Sequence, residues 1–242
     1  MKPRILVWDL PTRLFHWSLA LSFAGAYLTA ESERWRDVHV TLGYVVLGLL
    51  VFRLFWGFMG SRYARFAEFV RGPSAIRAYL SSLTAGRPTH YTGHNPLGAV
   101  AILLLIGLGL ASSVSGWLLY AEVGGESLED ALEELHEVLS NGMLAVVVLH
   151  IAGVIHGSFV HRENLAWAML TGHKQGAAEQ AIPSTRPWAA LALMAGVLAI
   201  VAWDRFDSAA SEGTEAPYLD SELELEDDDE AVEIEEEPED ND

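Results

Sequence analysis

The chain has 242 residues, 51% of them hydrophobic, with a mean hydropathy of +0.22 and no cysteine. That apolar content is high for a soluble domain and points to a bilayer as solvent, while the missing thiols exclude disulfides, iron–sulfur ligation, zinc thiolate sites and covalent C-x-x-C-H haem attachment. The formal net charge of -18 is local: residues 204–242 hold nineteen acids and one arginine, and residues 1–203 hold fourteen acids and fourteen bases.

The opening MKPRILVWDLPTR lacks the long apolar run and small-residue cleavage site of a removable signal, so the first apolar segment, Leu14 to Ala30, is expected to stay as an anchor. Val40 to Gly60, interrupted only by Arg53, reads as a second span. The following RFAEFVRGPSAIRAYLSSL mixes bases with Phe66, Phe69, Ile76, Tyr79 and Leu80 and breaks at Gly72-Pro73. It suits short helices on a membrane surface, or a solvated connector. Leu97 to Tyr120 carries no charge and is long enough to cross a bilayer core. Gly142 to Val160 is interrupted only by His150 and His156, and Trp188 to Trp203 is a shorter fifth span.

The expected fold is therefore all-α: a transmembrane four-helix bundle over residues 1–175, a linker and fifth C-terminal transmembrane helix over 176–206, and a disordered acidic tail over 207–242. Lys2, Arg4 and Arg13, then Arg62, Arg65, Arg71, Arg77 and Arg87, then Arg162, Lys174 and Arg186 mark one side as cytoplasmic. The opposite loops carry Arg34 and Arg36 or only acids, so the expected location is the bacterial inner membrane, with a cytoplasmic N-terminus and the tail in the periplasm. There the tail either stays solvated or steers a basic partner such as a cytochrome c. No nucleic acid is expected as a partner.

Ionisable residues within spans are costly and usually functional. His136 and His150 lie 14 residues apart, which on a helix places them within about 40° of one face and roughly 21 Å apart along the axis. His16 lies near the cytoplasmic start of span one and His39 at the outer start of span two, so depth pairs His16 with His150 and His39 with His136. A lone membrane histidine usually makes a helix-to-helix hydrogen bond; four that pair by depth read as axial ligands of two noncovalent haems, with no open coordination position. Arg53, 14 residues after His39, reaches inner depth on a similar face and suits a haem propionate or snorkelling to the interface. Arg13, one turn before His16, is a second propionate candidate or a positive-inside anchor. His90, His94, His156, His161 and His173 read as surface or packing residues, with His94 and His156 closest to the inner pair. Gly43, Gly107, Gly109, Gly116 and Gly153 allow close approach of helices or porphyrin.

The stretches VWDLPTRLFHW, HVTLGYVVLGLLVFRLFWGFMG, GHNPLGA, ELHEVLSNGMLAVVVLHIAGV and HRENLAWAMLTGHK resemble the bacterial cytochrome b561 and nickel–iron hydrogenase b-type cytochrome family over roughly residues 7 to 175. The resemblance implies four core helices, two b-type haems on His16, His39, His136 and His150, and electron transfer between the membrane quinone pool and a periplasmic redox partner, a cytochrome c or a hydrogenase, in either direction. It also admits a self-sufficient superoxide:quinone oxidoreductase. A haem-free transporter that uses its histidines for protons or packing is the reading outside the family.

Overall fold

The computed structural model describes the backbone of residues 3–226, and the side chains among these except at 126–127 and 207–226. It is almost wholly helical, and the expected apolar segments become its long helices. These are α1 (Leu10–Thr29), α2 (Arg36–Met59), α5 (Pro96–Tyr120), α6 (Glu126–His161) and α8 (Pro187–Glu226). The surface stretch forms α3 (Phe66–Phe69) and α4 (Pro73–Thr84), separated at the Gly72-Pro73 break. A short α7 (Leu165–Thr171) follows α6.

Among the described residues, four segments are long and apolar enough to cross a membrane: Glu33–Met59, Pro96–Tyr120, Leu128–His161 and Pro187–Phe206. Helix α1, with Thr12, Arg13 and His16 in its first turns, is less apolar but has the length of a span and packs along α2. Exposed Leu21, Leu28, Phe55, Phe58, Leu149 and Phe159 line the outside of the helices, a surface that suits lipid and would be a liability in water.

Helix ends follow local chemistry. Asp9 caps α1 by accepting from the Thr12 backbone N–H at 2.9 Å, with Pro11 in the first turn. Asn95 does the same for α5, accepting from Gly98 N–H at 2.8 Å, with Pro96 beginning the helix. The 36-residue α6 runs about 54 Å, well beyond a bilayer core of about 30 Å, so its acidic first turns leave the apolar layer. It packs most extensively on α5, and Ser112 and Ser140 hydrogen-bond across that contact at 2.8 Å. Tyr27 of α1 donates to Asn141 of α6 at 2.8 Å.

One feature was not expected from the sequence. β1 (Arg4–Leu6) pairs antiparallel with β2 (His173–Gln175), Ile5 opposite Lys174. Around this ribbon Ile5, Val7, Trp8, Tyr63, Ala168 and Ile182 form a small apolar cluster. Val7 and Trp8 N–H both donate to the Gly172 carbonyl, at 2.8 and 3.0 Å. Gly172 ends α7 at φ +82°, and a side chain there would meet the Trp8 carbonyl at 2.7 Å, so glycine is required for this crossing. Lys174, counted in the sequence as one of the cytoplasmic bases, is buried, pairs with Glu163 at 3.3 Å and donates to the Thr92 carbonyl at 3.1 Å. A polar cap thereby ties the start of α1 to the segment after α6.

The chain divides into two units, Met1–Ile200 and Val201–Asp242. In the first, Ala189, Ala190 and Leu193 at the start of α8 are buried. In the second, the helical backbone of α8 continues to Glu226. It therefore enters the acidic segment that begins at 207; the rest of that segment, residues 227–242, lies outside the described residues.

Candidate functional site

The 14-residue spacing sets His136 and His150 about 21 Å apart along α6, and each meets a histidine from another helix. His39 of α2 faces His136 with ring centroids 6.1 Å apart, and His16 of α1 faces His150 at 6.4 Å. All four are half-buried.

These separations can be tested against a chemical template. An imidazole nitrogen sits about 2 Å from a transition metal, and its ring centre lies roughly 1 Å further, so two axial imidazoles on one iron have centroids about 6 Å apart. Both pairs fit a single iron between them, and direct hydrogen bonding between the rings is not what holds either pair.

The outer pair is oriented by backbone carbonyls. His39 Nδ1 lies 2.9 Å from the Ala26 carbonyl oxygen on α1, and His136 Nδ1 lies 2.9 Å from that of Ser112 on α5. A carbonyl oxygen only accepts, so both Nδ1 atoms carry the proton and both Nε2 atoms keep a free lone pair, the arrangement a metal-ligating histidine uses. The Ser115 hydroxyl sits 3.3 Å from His136 Nδ1 and itself donates to Ser112 O at 2.9 Å.

A cleft of about 390 Å³ opens beside this pair between α2, α5 and α6, bordered by His39, Gly43, Tyr44, Gly116, Trp117 and His136. Gly116 touches the histidine: a Cβ there would lie 2.8 Å from His136 Cε1, so any larger residue turns the ring. Gly43, Gly107 and Gly153 face open space instead, and Gly109 lies under Leu50 and Met143.

The inner pair is built differently. His16 Nδ1 is buried with no hydrogen-bond partner among the described residues. Its surroundings supply cations. Arg53 is 4% exposed, its guanidinium carbon lies 5.0 Å from the Phe66 ring and 5.8 Å from the Phe69 ring, and its Nη1 is buried without an acceptor. Asp9 is also buried; one of its oxygens caps α1 and the other accepts from Trp56 Nε1 at 3.2 Å. Arg13 donates from Nη1 to the Leu170 carbonyl at 2.6 Å, fastening α1 to α7, while its Nε has no partner.

His94 also belongs to this region. Its ring lies 4.7 Å from Trp8 and 4.8 Å from Phe69, with Nδ1 buried and unpartnered. Burial, then the charges of Arg53 and Lys174, push its pKa down to about 3, so it is a neutral imidazole at physiological pH. His90, His156 and His173 are exposed, and His161 stacks edge-on with His90 at 5.3 Å. No cluster of three or more His, Cys, Asp or Glu side chains that would hold a metal ion without a macrocycle occurs among the described residues.

Sequence reasoning missed Asp9 and Lys174 as buried charges and read His94 as a surface or packing residue, though as one of the two histidines nearest the inner pair. Asp9 had a signal, since Asp followed by Leu-Pro-Thr is a helix-start pattern. Lys174 had none, because its burial follows from a strand pairing across 169 residues between Ile5 and its own position.

The family model for prokaryotic cytochrome b561 matches residues 7–172. Among curated proteins, a Ni/Fe-hydrogenase B-type cytochrome subunit of Rhodobacter capsulatus is 26% identical over 217 residues, covering 70% of this chain and 81% of the relative. Its counterpart in Azotobacter vinelandii is 29% identical over 211 residues, covering 69% and 87%. The Ni/Fe-hydrogenase 1 B-type cytochrome subunit of Escherichia coli strain K12 is 29% identical over 143 residues, covering 48% and 60%. No solved structure matches.

Proposed function

This chain belongs to the prokaryotic cytochrome b561 family of membrane b-type cytochromes, and we propose that it binds two b haems and moves electrons across the inner membrane between the quinone pool and a periplasmic redox partner. The observation that carries the reading is the pair of histidine pairs, with centroids 6.4 and 6.1 Å apart, anchored about 21 Å apart along one helix. Haem held at each pair would supply reversible one-electron iron chemistry.

The chain's own residues do the rest. His16 and His150 would hold the inner iron, His39 and His136 the outer one. The carbonyls of Ala26 and Ser112 lock the outer imidazoles as Nδ1–H tautomers and raise their basicity. Arg53 offers an inner propionate its unpartnered Nη1, and Arg13 offers its Nε. Apolar α2, α5 and α6 keep the path between the two sites dry.

A hydrogenase-type partner is supported by the names of the relatives, and a cytochrome c by the acidic segment from 204 onward, which complements a basic surface. The bases flanking the spans support a cytoplasmic N-terminus. A reduced-minus-oxidised spectrum with haem quantification tests the core of the proposal. Two noncovalent haems per chain, with a sharp α band reduced by a quinol analogue, are expected; purified protein without haem would sink it.

A further inference from the structure

Two buried side-chain nitrogens beside the inner histidine pair have no hydrogen-bond partner among the described residues. One is His94 Nδ1, the other Arg53 Nη1. They come from elements far apart in the chain, the segment before α5 and the middle of α2, yet meet on one side chain: Phe69 lies 4.8 Å from the His94 ring and 5.8 Å from the Arg53 guanidinium carbon. Native proteins rarely leave even one such donor unmet, so a convergent pair marks the place of an acceptor. Because one of the two is a permanent cation, the fitting acceptor is an anion.

Asp9 accepts from Thr12 N–H and Trp56 Nε1 and makes no hydrogen bond to His94. Glu163 pairs with Lys174 at 3.3 Å and accepts from the Gln175 backbone N–H. The surrounding Trp8, Phe66 and Phe69 rings form an apolar frame that holds both donors still. His94 feels Arg53 more strongly than it feels Lys174, and it is within electrostatic reach of both His150 and His16. His94 also borders a polar cleft shared with Arg62, Glu68 and Arg71.

We infer that His94 is a positioning residue for the inner haem, donating from Nδ1 to the propionate carboxylate that Arg53 also holds. The inference rests on the dihaem reading and adds to it a residue outside the ligand set. A neutral N–H donor stabilises the carboxylate without adding charge. Its loss leaves the propionate's negative charge less compensated, which favours ferric over ferrous iron and lowers the potential of that haem alone.

The test is a redox titration of the purified full-length protein, with haem content measured in parallel. His94→Phe keeps the aromatic packing and removes the donor; His94→Gln keeps an N–H. In His94→Phe one of the two steps should fall by about 30 to 60 mV, a three- to tenfold shift for one electron, with two haems retained. His94→Gln should stay near wild type. The step that moves should be the one lost in His16→Ala, not the one lost in His39→Ala.

Two unmoved steps in His94→Phe, or movement of the outer step, would overturn the inference. Loss of one haem in both His94 variants would overturn it too, by making His94 a ligand. Should His94→Phe not accumulate, His94→Leu carries the same test. Wild-type protein without a second redox step would sink the dihaem reading itself, and this inference with it.

Discussion

The two ends of the bundle hold similar pairs of histidines in dissimilar surroundings. At the outer end both Nδ1 atoms are met by backbone carbonyls at 2.9 Å, and no arginine takes part. At the inner end His16 Nδ1 has no partner, and the neighbourhood contributes Arg53, Arg13 and His94. The outer pair is thus oriented by main chain, which substitution cannot remove, and the inner pair by charged side chains, which it can. An imidazole that donates to a carbonyl is the stronger electron donor to iron. A nearby cation favours the reduced state. On the dihaem proposal, both effects would make the outer site the more reducing of the two and the inner site the better electron acceptor.

The largest expected effect comes from removing a ligand. His136→Ala should take the haem content from two to one while leaving the inner redox step, and His150→Ala should do the reverse; unchanged content in both would break the assignment. Next comes Arg53→Leu, which removes a buried cation from the inner end and leaves Asp9 less compensated. It should lower the melting temperature by the equivalent of about 1–3 kcal/mol and depress the inner potential, with the outer step unmoved. An equal shift of both steps would erase the distinction between the two ends.

Gly116→Ala acts only on the outer site, because the added methyl meets the His136 ring at 2.8 Å. Overpacking of this kind costs about 1–3 kcal/mol, a roughly five- to hundredfold weaker outer haem site, measurable by haem loss on dilution in detergent. Gly107→Ala, into open space away from the cleft that His39 and His136 line, is its control and should retain both haems. The smallest effect belongs to Ser115→Ala. Its hydroxyl lies 3.3 Å from His136 Nδ1, but Ser112 O remains as acceptor, so the outer site should weaken by no more than about 1 kcal/mol.

Much of this architecture was legible residue by residue. The charge-free run from Leu97 to Tyr120 and the single-arginine run around Arg53 required helices in a bilayer, and both became helices within a few residues of the expected ends. The 14-residue interval between His136 and His150 required a shared helix face. His94 was not legible, because residues 60–95 have little periodicity: the ring reaches the inner end only through the packing of Trp8 and Phe69. The same holds for Lys174, which looked like an interfacial base and is buried by the β1–β2 pairing.

By itself, then, the sequence determined the solvent, the apolar segments that lie within the long helices, the confinement of net charge to the C-terminal segment and the two depths at which histidines occur. These follow from local composition and helical period, which need no partner segment to be read. Tertiary structure alone decided that the paired rings stand about 6 Å apart, that the Ala26 and Ser112 carbonyls select the outer tautomers, and that Arg53 and His94 converge on Phe69. Each of these is a contact between elements distant in the chain, set by how helices pack and not by any one helix's own pattern.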